Sequence, residues 1–144
     1  MEPATHPSID RGLCGTPEAL APGRAEVALE TRADMAVDPE GLVHGGFVFG
    51  LADHAAMLAV NDPFVVLGAA DVRFERPVRV GERLVATARV SDPPGPGRKR
   101  LVEAEVRRGD DVVLRGRFTC LVLDRHVLAA SAGPAPEARP QAAR

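Results

Sequence analysis

The chain's most apolar stretch carries residues that packing alone would not select. In GLVHGGFVFGLADHAAMLAVN, residues 41 to 61, Asp53 and His54 interrupt an otherwise greasy helical run, and His44, Gly45 and Gly46 open it. Burying an unpaired carboxylate costs several kcal/mol, so Asp53 needs a reason to be there. A helix edge open to solvent is one. The other is a cleft floor, where desolvation raises the carboxyl pKa and readies the group to act on water or substrate. The glycines supply a complementary chemistry. They let another group come close to the backbone, and the first N–H groups of a helix have no internal acceptor. Such amides, with the positive end of the helix dipole behind them, polarise a carbonyl or hold an oxyanion. A plain glycine turn with His44 at the cap is the structural alternative. His54 lies about 100° round the helix from Asp53, too far to share its face, and reads as a packed or interface histidine.

Spacing adds a constraint. Gly46 and Asp53 are seven residues apart, which puts them on nearly the same face but separates them by about 10 Å along the axis. A carbonyl carbon must lie about 3 Å from its attacker while its oxygen lies about 3 Å from the amide donors. One helix does not easily meet both demands. Two antiparallel copies about a twofold axis do, with Asp53 of one chain facing the glycine amides of the other. The expectation is a homodimer with shared active sites.

The elements that must position these groups are mostly strands. Ala25, Val27, Leu29 and Thr31 alternate with charged residues, as a half-buried strand does. Residues 64 to 75 begin β-branched and then alternate through Val72 and Phe74. Leu84, Ala86, Ala88 and Val90 share a face, and so do Val102, Ala104 and Val106. The last strand does the same with Val112, Leu114, Gly116, Phe118, Cys120 and Val122. Residues 76 to 82 and 92 to 97 are loops, and RRGDD, 107 to 111, is a hairpin-type turn. Short turns make neighbours antiparallel. The helix over residues 45 to 60 is apolar nearly all round and therefore buried on most sides. An α+β fold follows, with a curved antiparallel sheet of about five strands wrapped round one central helix. Residues 1 to 22 read as an irregular lead-in with a short helical turn near Thr16 to Leu20. The working domain spans 23 to 127, and 128 to 144 form an Ala/Pro-rich disordered tail.

Composition narrows the function classes. The 144 residues hold 45% hydrophobic and 26% charged residues, with a formal net charge of −2, an ordinary soluble balance. Nothing suggests the basic face of a nucleic-acid module, and five Phe with no Trp or Tyr make a poor base-stacking surface. Cys14 and Cys120 fit no metal spacing or redox motif, so no metal is expected and both read as reduced thiols. Neither a signal peptide nor a stretch of membrane-spanning length is evident, which points to the cytoplasm.

The runs VHGGFVFGLADHAAMLAVN and DVRFERPVRVGERLVATARV together resemble the hotdog-fold acyl-CoA thioesterases, in particular the phenylacetate-degradation, PaaI-type branch. The similarity covers roughly residues 24 to 124. The resemblance implies hydrolysis of a small or medium acyl- or aryl-CoA to free acid and CoA, with no cofactor beyond the substrate's own coenzyme A. A homodimer is implied, with a tetramer of two dimers as the larger alternative. It makes Asp53 the nucleophile or general base and gives the thioester carbonyl to an amide of the His44-Gly45-Gly46 turn. A water-placing Asn of the family is here Asp38, either a second carboxylate or a turn residue. Where related enzymes supply a Ser or Thr, this chain has Leu67, Gly68 and Ala69. Coenzyme A phosphates call for cations, and Arg73, Arg76, Arg79, Arg98, Lys99 and Arg100 are the candidates. GAADVRFERPVRVGER also resembles the ligand-binding half of the bacterial fatty-acid-synthesis repressor. The alternative function is therefore a non-catalytic acyl-CoA sensor. That family has Asn at the acidic position and a DNA-binding domain in front, whereas Asp53 stands here.

Overall fold

A computed structural model describes residues 1 to 130. Its centre is α2, Gly45–Val60, whose residues are buried on almost every side. Six antiparallel strands wrap it: β1 (Thr16–Ala21), β2 (Arg24–Glu30), β3 (Val65–Phe74), β4 (Arg83–Val90), β5 (Lys99–Arg108) and β6 (Asp111–Val122). Their order across the sheet is β1-β2-β4-β5-β6-β3, so β1 and β3 are the edges. The helix lies mainly on β2, β4 and β5. Small side chains dominate where they meet: Ala52, Ala55, Ala56 and Ala59 on the helix, Ala25, Ala86, Ala88 and Ala104 on the strands, all buried. Short side chains on both surfaces let the sheet curl tightly around the helix. Larger groups, among them Leu29, Leu51, Met57, Leu84, Leu114 and Phe118, fill what remains. No helix among the described residues is long and apolar enough to cross a membrane.

The alternation in β2, β4, β5 and β6 corresponds to the buried inner face, with Ala25, Val27 and Leu29 at 0 to 2% exposure. The lead-in is corrected. Residues 11 to 21 are ordered: α1 (Arg11–Cys14) is a four-residue turn of helix, and β1 adds a sixth strand beyond the five expected. The helical turn therefore lies upstream of Thr16, and the folded domain begins before residue 23. Strand β1 carries no alternation in the sequence because no face of it is fully buried, its ladder shifts register between Pro17 and Ala19, and Pro17 lacks an amide proton. The expected tail starts inside α3 (Val127–Ala130), and 131 to 144 lie outside the described residues.

Strand β3 has a register shift between Leu67 and Ala69. Leu67 pairs with Cys120 on the inner face, and Ala70, Val72 and Phe74 resume that face beyond the bulge. Past Val65 the strand is only partly buried or exposed, and its outer edge carries no strand partner among the described residues.

Candidate active site

Asp53 sits in the second half of α2 on a strip of helix that the sheet leaves open. Its Oδ1 is fully buried and has no hydrogen-bond partner among the described residues. Desolvation pushes the carboxyl pKa up to about 6. Cys14, at the end of α1, and Cys120, on β6, flank it closely enough to feel its charge. Both thiols are raised, first by burial and then by neighbouring charge, Asp53 included, and Cys120 reaches about 12. Asp53 is thus near both α1 and β6.

His54 is 2% exposed and ties these parts together. Its Nδ1 is 3.1 Å from the Cys14 carbonyl, which can only accept, so Nδ1 carries the proton. Its ring stacks on His6 at 6.3 Å between centroids. Burial, opposed by the Cys14 bond and helped by the charges of His6 and Arg11, lowers its pKa. A neutral, packed histidine results, as its position on the helix suggested. Next to it, Gly15 has φ 99° and lies against Leu51 and Val27, where a Cβ would come within 2.7 Å of each.

The glycine turn is built as a donor pair. His44 is the N-cap; its amide donates to the Met35 carbonyl at 2.9 Å, while its side chain caps nothing. The Phe47 amide donates back to the His44 carbonyl at 3.1 Å. The Gly45 and Gly46 amides have no acceptor among the described residues. Close neighbours explain both glycines. A Cβ on Gly45 would press on the Phe74 ring at 3.3 Å, and one on Gly46 would meet His44 Nε2 at 2.8 Å. The aromatic cover over Gly45 was not anticipated. Phe74 is 55% exposed, and nothing in its alternating strand marks it as anything but a core residue. With Val43, Val48, Arg76 and Val78 it lines a groove of about 180 Å³ beside Gly45.

Asp38 is exposed, and its Oδ1 accepts from the amides of Glu40 at 3.0 Å and Leu42 at 3.3 Å. Its carboxylate holds the turn that leads into Val43 and His44. A cleft of about 390 Å³ adjoins it, lined by Leu42, Arg76, Arg79, Glu82 and Arg108 among others. Arg76 lines this cleft and the Phe74 groove, and donates to the Val112 carbonyl at 3.0 Å. Arg73, Arg76 and Arg79 are exposed and form no ion pair with any described residue. Arg98 pairs with Asp124 at 2.6 Å, Lys99 is exposed, and Arg100 donates to the Gly97 and Lys99 carbonyls. The two basic groups are apart in one chain. Arg73 pairs with Arg115 on β6 and Lys99 with Leu121, a separation of about 20 Å at strand rise. Among the described residues no group of three or more His, Cys, Asp or Glu is placed to hold a metal.

One antiparallel sheet curled round a single helix, with a glycine turn at the helix start and a desolvated acid further along, defines a hotdog domain. The family described as the thioesterase superfamily matches residues 40–92. Two solved structures agree over most of the chain. An uncharacterised protein from Pyrococcus horikoshii is 55% identical, with a TM-score of 0.85, over 89% of this chain and 97% of that one. A mutant of the phenylacetic acid degradation protein PaaI from Thermus thermophilus is 34% identical, with a TM-score of 0.69, over 77% and 95%. The chain belongs to the thioesterase superfamily, among the PaaI-type hotdog proteins. Curated relatives include a methylthioribose-1-phosphate isomerase from Aquifex aeolicus, 47% identical over 123 residues that make up 85% of this chain and 26% of that protein. The transcription factor FapR from Shouchella clausii is 38% identical over 118 residues, 76% of this chain and 60% of that protein. The chain thus spans only about a quarter to three fifths of the length of these two curated relatives.

Proposed function

We propose that the chain is a cytoplasmic acyl-CoA thioesterase that acts as a homodimer with shared sites. The observation that carries this is Asp53: a desolvated carboxylate with an unpartnered oxygen, on the helix whose first amides are free. A carboxyl with a pKa of about 6 is ionised at neutral pH yet more basic than an ordinary aspartate. The Gly45 and Gly46 amides of one chain receive the thioester oxygen. Asp53 of the other then has two routes. It takes a proton from water as the water oxygen bonds to the carbonyl carbon, or it bonds to that carbon itself to give a mixed anhydride that water opens. Either way the C–S bond breaks and coenzyme A leaves as the thiolate and takes up a proton. These residues accomplish the reaction with no cofactor beyond the coenzyme A of the substrate.

The unpaired edge of β3 supports the dimer. Ten residues of open strand edge, with Gly68, Ala69 and Ala70 exposed at its middle, form a template for a second copy. Antiparallel pairing of two β3 strands about that middle sets the Phe74 end of one chain against the Phe64 end of the other. Arg73 and Arg76 of one protomer then approach the Arg98–Arg100 group of its partner, and the separated basic groups form one cradle for nucleotide phosphates. The similarity to FapR favours a second reading, an acyl-CoA sensor that binds without turnover. Asp53 argues for hydrolysis. The test is a set of acyl-CoAs assayed for thiol release, with Asp53→Asn as control. Wild type should turn over at least one of them, with an acid limb near the Asp53 pKa of about 6, and the variant should lose about a hundredfold in kcat. Binding without thiol release would establish the sensor instead.

A further inference from the structure

Gly50 lies in the interior of α2, where glycine is less stable than alanine and no turn requires it. Nor do its neighbours demand it: a Cβ there would meet nothing within 4 Å among the described residues. This sets it apart from Gly45 and Gly46, which close neighbours keep small. No described residue therefore requires Gly50 to lack a side chain, and its open face is free for a second copy.

Helix geometry locates it. Gly46 and Asp53 point within about 20° of each other, and Gly50 lies about 60° from Asp53 on the same open side. When two α2 helices run antiparallel so that the glycine amides of each face Asp53 of the other, the residue opposite its own copy is the one midway between them. That midpoint is the Phe49–Gly50 step. Phe49 turns aside and packs on Phe118 of its own β6, with ring centroids 5.5 Å apart. Gly50 is left as a notch at the twofold axis.

We propose that Gly50 is a positioning residue at the crossing of the two α2 helices, where its missing side chain lets them approach until the amides of one chain and Asp53 of the other reach the same carbonyl. The inference rests on the shared-site reading. The occupant of the notch is the α2 helix of a second copy. Helix axes packed through ordinary side chains lie 8–10 Å apart, and a glycine contact allows a closer approach. A side chain at the axis acts on both sites of the dimer at once, because it widens the gap that each site spans.

The test is cross-linking. Gly50→Cys is made in a chain whose own thiols are removed by Cys14→Ser and Cys120→Ala, and is treated with oxidised glutathione. Two thiols on a twofold axis should join as a disulfide-linked dimer, with each bond formed reducing one equivalent of oxidised glutathione to two of the thiol. Disulfides require Cα atoms within about 7 Å, so Gly109→Cys, at the exposed β5–β6 turn, should give no such product. Little or no cross-linked dimer from Gly50→Cys, with the protein folded by circular dichroism, overturns the proposal. Should the cysteine chain fail to fold, Gly50→Ala and Gly50→Leu carry the test. Each should keep the wild-type circular dichroism spectrum, and kcat should fall about tenfold or more, further for Leu than for Ala, with little change in KM. Full kcat in Gly50→Leu overturns the proposal. Cross-linking in a protein without thioesterase activity would keep the helix crossing and refute only the hydrolytic reading.

Discussion

Replacing Asp53 by Asn should stabilise the protein, by an amount set by pH. The Asp53 carboxyl is raised by burial from 3.8 to about 6, a shift of about two units. Each unit corresponds to about 1.4 kcal/mol, so the ionised carboxylate costs the fold about 3 kcal/mol, or between 2 and 3 once its residual exposure is allowed for. The sign follows from proton counting. Between the two pKa values the folded chain holds a proton that the unfolded chain has released, so stability falls as pH rises through that window. Below about pH 3 both states are protonated and the penalty vanishes; above about pH 7 it is complete. Asn does not titrate. The stability gap between Asp53→Asn and wild type should therefore widen by about 2 to 3 kcal/mol from about pH 3 to about pH 8. Urea unfolding of both proteins across that range, at equal protein concentration, measures it. Every other carboxylate is common to the two chains and cancels. Any fixed cost of the amide shifts the whole curve without changing its slope. A flat gap would mean that Asp53 is hydrated in the folded protein, and the case for a desolvated base would fall with it.

Two further outcomes test the shared site. An equal mixture of Asp53→Ala and Gly46→Val chains, each inactive alone, should regain about a quarter of wild-type activity after subunit exchange, because half the dimers are mixed and each mixed dimer has one intact site. Demonstrated exchange without recovery would put both groups in the same chain. Arg76→Ala should raise KM for acyl-CoA about tenfold and leave KM for the matching N-acetylcysteamine thioester within about twofold, as expected of a phosphate contact. Equal losses on both substrates would make Arg76 a structural residue, acting through its bond to the Val112 carbonyl.

The parts legible from the sequence were those with period and contrast. Strands β2, β4, β5 and β6 each bury one face, so their alternation survived translation into structure, and α2 runs over the residues its unbroken apolarity indicated. Asp53 stood out because a charge among apolar neighbours contradicts its surroundings. Edge strand β1 had no such signal, since neither of its faces is fully covered. Residues brought together from distant elements were equally silent. Phe74 over Gly45, Cys14 beside Asp53 and the tether from His54 to the Cys14 carbonyl depend on how α1 and β3 close on α2, and no local pattern encodes that. Asp38 stood between two readings, a second carboxylate and a turn residue, and its carboxylate accepts from the Glu40 and Leu42 amides of its own turn.

The burial of Cys120 gives the molecule an internal clock. With its thiol pushed up to about 12, only about one part in ten thousand is thiolate at pH 8. An unfolded cysteine at that pH is ionised to the extent of a tenth or more. Reaction with an alkylating reagent therefore waits for the sheet to part from the helix, and its rate counts those openings. The frequency at which Cys120 becomes reactive therefore measures how often the sheet lifts from the helix that carries Asp53. A slow clock signifies a helix that holds Asp53 in place between turnovers.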